Sequence, residues 1–334
     1  MINSHPLLNK RILVTGGSGF IGTNLVAHLH ALGCTVKNLD IATPRNKEHL
    51  SLWENIDICN ENQFKEAVLA FDPHIILHFA ARTDLQETRN LSEYSENYLP
   101  VKYLIHSVKQ CKKIEHIIFA SSQLVALIED QTPNDEYYSA STLYGTSKVV
   151  AEQIIRSTNC FGIPWTIVRP TSIWGPWFGT PYKEFFETIR KGFYFNIGSK
   201  NTKKQWGFVG NATYQIEKIL TAPMETIHGK TFYLADFSPV NLKDFANAIS
   251  KEWNNKHLPI LPYWIAYTFA VAGDMLKTMG WSNPPLTRFR LHNIVSNEIQ
   301  NLSSLEKVVG LLPYTPMQGI KETINWMRTS HPLQ

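Results

Sequence analysis

Tyr144-Gly145-Thr146-Ser147-Lys148 sets a phenol and an amine four residues apart, a separation that puts both side chains on one face of a helix. A free phenol ionises at a pH of about 10 and is a weak base near neutrality, but an adjacent cation stabilises the phenolate and brings it toward the working range. Lys148 is spaced to do that for Tyr144. Upstream, the apolar run Ile117-Ile118-Phe119-Ala120 delivers Ser121-Ser122-Gln123 at its end. A hydroxyl there, at Ser122, can orient a substrate oxygen beside the phenol. Taken alone, the Tyr and Lys would describe an ordinary helix surface; following that strand, they describe acid/base chemistry on an oxygen.

The elements that must position these groups start near the N-terminus. The stretch Arg11 to Gly22 reads as strand, tight turn and helix, with glycines at 16, 19 and 22 and an apolar helical face through Ile21, Leu25, Val26 and Leu29. Gly16 permits the turn, Gly19 lets a pyrophosphate approach the backbone, and Gly22 lets the helix pack on the strand. The first-turn N–H groups, those of Phe20 and Ile21 included, face the anion. A second strand, Thr35 to Leu39, ends in Asp40, where a carboxylate would hold an adenosine ribose 2′-OH. Arg45 follows in a polar segment and could meet a 2′-phosphate, but its offset from Asp40 favours a surface role. NAD is therefore expected over NADP.

Farther along, Ile56-Asp57-Ile58 reads as a short third strand and Asn62 to Phe71 as a helix. Ile75 to Phe79 is a fourth strand ending in Ala80-Ala81, small residues across which a flat cofactor can lie. A helix follows from about Ser95 to Cys111, with Asn97 near its start and Pro100 in its first turn. Ile117 to Ala120 is the fifth strand, Leu143 to Arg156 a helix and Thr166 to Val168 the sixth strand. This alternation predicts an α/β fold with a Rossmann-type doubly wound parallel sheet over residues 1–170. From Arg169 onward the pattern becomes irregular, beginning with Trp174-Gly175-Pro176-Trp177-Phe178-Gly179. Residues 171–334 read mainly as a smaller C-terminal α/β substrate lobe, some of whose segments return to the first domain. Glu306 to Val309 and Ile320 to Met327 read as closing helices.

The 334 residues are 43% hydrophobic and 18% charged, as expected of a globular chain rather than a disordered one. A net charge of +4, spread along the chain and without a nucleic-acid motif, excludes a dedicated nucleic-acid binder and suits a small anionic substrate. Cys34, Cys59, Cys111 and Cys160 have no metal-ligand spacing, and neither do the twelve histidines, His78 included. No metal is expected. The N-terminal residues lack a charged-then-apolar leader and no run reaches membrane-spanning length, so a cytoplasmic location is expected.

Together these motifs resemble the extended short-chain dehydrogenase/reductase superfamily, and within it the NAD-dependent epimerase/dehydratase branch. The resemblance runs from Gly16-Gly17-Ser18-Gly19-Phe20-Ile21-Gly22 through Asp57-Ile58, His78-Phe79-Ala80-Ala81, Asn97, Ser121-Ser122 and Tyr144 to Lys148, as far as Arg169-Pro170. It implies a bound NAD(P), with Asp40 on the adenosine ribose and Asp57 and Ile58 at the adenine. Phe79, Ala80, Ala81, Thr83 and Asn97 would also contact the dinucleotide. Tyr144 would be the acid/base catalyst, Lys148 would hold the nicotinamide ribose, and Ser122 would bond the reacting oxygen. It also implies a homodimer, since the helix matching Leu143 to Arg156 often builds a four-helix contact in relatives.

Departures from the branch pattern narrow the activity. Gln123-Leu124 replace the Asp-Glu pair of dehydratases, which disfavours a 4,6-dehydratase. Ala126-Leu127 stand where a Tyr-Gly is usual, and Ser172 replaces an Asn expected to contact substrate. Lys204 replaces an Arg, keeping the charge but losing the bidentate fork for a diphosphate. Arg288, in a segment that resembles 3β-hydroxysteroid dehydrogenase-like relatives, could meet a substrate phosphate.

The expected reaction is oxidation and reduction of a secondary alcohol on a nucleotide sugar. An epimerase is preferred to a ketoreductase or dehydrogenase, because tightly held NAD suits a redox-neutral cycle. Rival readings are a 3β-hydroxysteroid dehydrogenase-like enzyme and a non-catalytic NAD-binding regulator. The aromatic stretch Leu261 to Ala272 reads as lobe core or a subunit contact, with an apolar pocket wall or a membrane surface as alternatives.

Overall fold

The computed structural model describes residues 5–85, 89–126, 134–198, 200–255, 257–281 and 284–330. Its centre is a seven-stranded, all-parallel sheet. Six strands are β1 (Arg11–Thr15), β2 (Thr35–Asp40), β3 (Trp53–Asn55), β4 (Ile75–His78), β5 (His116–Ala120) and β6 (Trp165–Pro170). A seventh, Thr231–Leu234, comes from the second half of the chain and pairs with β6 at the sheet edge. The order is the Thr231–Leu234 strand, β6, β5, β4, β1, β2, β3, so β1 lies inside the sheet between β4 and β2, and the topology reverses between β1 and β4.

Alternation along the strands supplies two cores. Ile12 and Val14 of β1, Leu77 of β4 and Val168 of β6 face one layer with Leu25 and Leu29 of helix α1 (Phe20–Ala31), Ile216 and Ile219 of the helix Val209–Thr221, and Leu305. Leu13, Ile76 and Ile167 face the other, with residues of helices α2 (Glu61–Phe71), α3 (Leu99–Val108) and α4 (Leu143–Thr158). Strands buried on both faces read as unbroken apolar runs, the pattern of a parallel sheet.

Local chemistry fixes the boundaries. Asn60 caps α2 by accepting from Gln63 N, and Thr142 caps α4 by accepting from Gly145 N at 3.0 Å. The third strand falls at Trp53–Asn55, three residues before the expected Ile56-Asp57-Ile58. The Trp53 indole donates to the Asp40 carbonyl at 2.8 Å and holds that segment in register with β2. Ile56 and Ile58 are buried instead in the loop leading to α2. The predicted helix from Ser95 to Cys111 is shorter, because a 3₁₀ segment, Leu91–Asn97, precedes α3 and Pro100 occupies its first turn.

The chain forms two units. The first comprises Met1–Trp177, Gly207–Phe237 and Gln300–Pro313, and carries the sheet. The second comprises Phe178–Trp206, Ser238–Ile299 and Tyr314–Gln334. Its strands are two-residue pairs, Asn196–Ile197 with Ile260–Leu261 and Lys203–Lys204 with Val240–Asn241. Helices dominate it, around an aromatic cluster in which Phe185, Phe186 and Trp206 pack on Phe245.

Candidate active site

The carboxyl ends of β1, β2, β4 and β5 form a crevice rim in the first unit. Gly16 there has φ +73°, a left-handed conformation, and a Cβ would overlap the Ala80 backbone. A Cβ at Gly22 would overlap the Gly16 carbonyl, so the glycine turn packs directly on the first turn of α1, which has no side-chain cap. Asp40 at the end of β2 accepts from Ser18 N at 3.0 Å and from Ala42 N at 2.9 Å. Thr15 hydrogen-bonds His78 Nδ1 at 2.9 Å and accepts from Ala80 N, fixing Ala80 over the turn. A bare cradle, an uncapped helix start and a carboxylate at the next strand end fit a dinucleotide's pyrophosphate and ribose. Arg45 donates to the Trp177 carbonyl at 2.5 Å, as its surface placement suggested.

Other residues assigned to the cofactor are placed as follows. Phe79 and Ala81 are half-buried at the end of β4, whereas Thr83 is exposed in the loop beyond. Asp57 is exposed and accepts from Cys59 N, and Ile58 belongs to the core. Asn97 is buried, and its amide is committed to protein. It donates to the Arg82 carbonyl at 3.0 Å and to Ser147 Oγ at 2.9 Å, and accepts from Arg82 N at 2.8 Å. It thereby ties the loop after β4 to α4.

On α4, Tyr144 and Lys148 are both buried. Burial raises the Tyr144 phenol above its ordinary value, and a hydrogen bond with Ser122 pulls it back. Ser122 Oγ also accepts from Leu124 N at 3.1 Å, fixing the serine at the end of β5. Lys148 Nζ donates to the Ala120 carbonyl at 2.9 Å; burial lowers the amine to about 8, with Glu152 opposing. Ser122 thus acts on the Tyr144 phenol against burial, while Lys148 faces the Ala120 carbonyl, Glu152 and His78. His78, lowered to about 3 by burial and by Lys148, is neutral.

Three neighbours of this group, Tyr94, Glu152 and Arg169, were given no role by sequence reasoning. Tyr94 packs its ring edge-on to Tyr144, with centroids 6.2 Å apart. Glu152 continues the Tyr144, Lys148 spacing by one further turn and forms a fully buried pair with Arg169. Arg169 Nε donates to Oε1 at 2.9 Å and an Nη to Oε2 at 2.8 Å. Arg169 also donates to the Asp135 carbonyl and the Tyr233 hydroxyl. Burial works against its charge, and the contacts with Glu152 more than offset this, raising the guanidinium above its ordinary value. A repeat of polar residues every four positions, ending in an acid with an Arg at the next strand end, was the available signal.

The substrate calls fare differently. Ser172 is buried, its carbonyl accepting from Gly207 N at 3.1 Å. Lys204, in the second unit, is buried and lowered from its ordinary value by burial. It donates to the Asn293 carbonyl at 2.6 Å and lies 3.6 Å from Glu298. Arg288 is exposed and paired with Asp274 at 2.5 Å. Trp174 is buried in a two-residue strand, Ile173–Trp174, that pairs in parallel with Gly207–Phe208, and its ring packs on Phe208 with centroids 5.2 Å apart. Leu127, of the Ala126-Leu127 departure, lies outside the described residues. Among the described residues no cluster of His, Cys, Asp or Glu is placed to hold a metal.

The NAD dependent epimerase/dehydratase family matches residues 12–235, which span all but the first residue of the sheet and include the glycine turn, Asp40, Ser122, Tyr144 and Lys148. The chain belongs to that family. Its similarity to a 3-beta-hydroxysteroid dehydrogenase of Mycolicibacterium neoaurum is 32% identity, over 72% of this chain and 69% of that one. An N-acetyl-alpha-D-glucosaminyl-diphospho-ditrans,octacis-undecaprenol 4-epimerase of Escherichia coli O157:H7 is 22% identical over 96% of both chains. The fold matches the UDP-glucose 4-epimerase of Thermus thermophilus, solved in complex with NAD, with a TM-score of 0.72. That match is 17% identical and covers 96% of this chain and 100% of that one. The protein is thus an enzyme of an NAD-dependent family, and NAD is the cofactor that this membership implies.

Two measurements check this geometry. Arg169→Met, which leaves Glu152 buried without its partner, should lower the unfolding free energy by about 3–5 kcal/mol in urea titrations. The double variant with Glu152→Met should recover much of that loss. Lys148 has a folded value below its ordinary 10.5, so its buried ammonium opposes folding fully below about pH 8, and the penalty fades toward 10.5. Wild-type stability relative to Lys148→Met should accordingly rise with pH across that window and be flat below it.

Proposed function

We propose that this enzyme oxidises a secondary alcohol on an apolar, sterol-like ring system. The observation that supports the chemistry is the buried Tyr144 phenol, raised by burial and lowered again by Ser122 at the end of β5. When bound, NAD supplies the acceptor for the carbinol hydride. Tyr144 in its phenolate form takes the hydroxyl proton onto its Oη. Ser122 holds the same oxygen and stabilises charge on the phenolate, and Lys148 supplies a cation whose Nζ donates to the Ala120 carbonyl. Asp40 disfavours a 2′-phosphate by like charge. Asn97, through Ser147, holds α4 in place during the proton transfer.

The substrate class is argued from the cations expected to anchor a diphosphate. Lys204 is buried against the Asn293 carbonyl and Glu298, and Arg288 is paired with Asp274, so an anion would have to displace those partners. The Mycolicibacterium relative acts, by its name, on a 3β-hydroxysteroid, a substrate without a phosphate. Epimerisation of a sugar at its alcohol carbon is the second reading, supported by the nearly full-length likeness to the undecaprenol-linked sugar epimerase. The proposal includes a cytoplasmic location and assembly as a homodimer.

Purified enzyme with NAD should form NADH stoichiometrically with a 3β-hydroxysteroid, and Tyr144→Phe should lower kcat/KM by at least about 100-fold, the usual size of a lost general base. Isomer formation from a UDP- or polyprenol-linked sugar without net NADH would favour the second reading. Unchanged turnover in Tyr144→Phe would remove the phenol from both.

A further inference from the structure

Two side chains beside the proposed cofactor cradle take the carbonyls of one short segment. Asn24, two residues past Gly22 on α1, donates its amide to the Phe20 carbonyl at 3.0 Å and to the Pro176 carbonyl at 3.0 Å, one proton for each. Arg45, five residues past Asp40, donates an Nη to the next carbonyl, that of Trp177, at 2.5 Å. Trp177 itself has φ +70°, a left-handed backbone that a bulky residue keeps only where its surroundings hold it there. Consecutive carbonyls are thus pinned from the two elements to which the cradle assigns the pyrophosphate and the adenosine ribose.

Topology says what the segment crosses. β6 ends at Pro170, and β5 and β4 stand between it and β1 in the sheet. After the short strand Ile173–Trp174 the chain turns at Gly175, with φ +138°, and reaches first α1, which follows β1, and then the loop after β2. It therefore runs along the carboxyl edge of the sheet, where open parallel sheets hold ligands. All of these residues belong to the first unit, which the chain leaves after Trp177. The two anchors differ in kind. Asn24 is half-buried, whereas Arg45 is exposed, and an exposed hydrogen bond exchanges readily with water. A segment held in this way opens from the Arg45 side.

We infer that Asn24 and Arg45 are positioning residues for NAD: through the Pro176 and Trp177 carbonyls they latch this segment along the mouth of the cofactor crevice, and the dinucleotide enters and leaves only when the latch opens. The inference rests on NAD as the cofactor that family membership implies, and it needs no assumption about the alcohol substrate.

Stopped-flow mixing of the full chain with NADH, followed by displacement of bound NADH with excess NAD, gives the association and dissociation rate constants without any substrate. Arg45→Met should raise both constants by roughly tenfold, the size expected for one lost charge-assisted hydrogen bond, and leave Kd nearly unchanged. Asn24→Ala should move them the same way. Arg45→Lys, which keeps a cationic donor, should stay near wild type. Arg45 is exposed and alanine suits a helix, so all three variants are expected to fold, with circular dichroism matching wild type. Loss of the Arg45 charge alone would slow the association of an anionic ligand, so faster association reports an opened latch. Rate constants equal to wild type in both Arg45→Met and Asn24→Ala would overturn the proposal. So would faster release with slower association in Arg45→Met, the signature of a direct contact with the dinucleotide, and so would a wild-type chain that binds no NADH. Failure of the sterol reading would leave these rates unchanged.

Discussion

The buried pair of Arg169 and Glu152 is the constraint on which the rest of the site depends. Two charges removed from water are tolerated only when geometry is good and the remaining hydrogen-bonding capacity is used. Here the fork is bidentate, the Tyr138 hydroxyl donates to Glu152, and Arg169 has two further acceptors. Because Glu152 lies one turn beyond Lys148 and two beyond Tyr144, tying it to the end of β6 fixes the rotation of α4 about its axis. The face carrying the phenol and the amine is thereby turned toward the sheet.

The other constraint comes from the glycine turn. Gly16 and Gly22 bring β1, the end of β4 and α1 so close together that no side chain fits between them. The same closeness leaves backbone N–H groups at the start of α1 facing the crevice, with Asp40 beside them. Asn97 joins this side of the crevice to α4 through Arg82 and Ser147. The proposed cofactor cradle and the helix carrying Tyr144 and Lys148 therefore belong to the same unit, built on strand ends where parallel sheets place ligands.

Much of this was legible in the amino-acid order. Unbroken apolar runs marked the buried strands, and the glycine spacing marked the turn, because both follow from local geometry. The third strand was misplaced by three residues because its register is set by the Trp53 indole on the Asp40 carbonyl, a contact that periodicity does not encode. Lys204 and Arg288 read as free anchors because their partners, Asn293, Glu298 and Asp274, are brought to them only by folding. The aromatic stretch after Leu261 read as lobe core or a subunit contact, since hydrophobicity alone does not say which way a helix faces. Only the small inward residues Ala266, Ala270 and Gly273 show that its large ones are left outside.

In the proposed chemistry, Ser122 sets the proton affinity of the Tyr144 phenol at the reacting oxygen. The pH dependence of kcat/KM for alcohol oxidation, compared between wild type and Ser122→Ala, tests it most directly. The ascending limb, which follows phenolate formation, should move to higher pH in the variant, because burial then acts on the phenol without the opposing hydrogen bond. Superimposable profiles that differ only in height would contradict the claim.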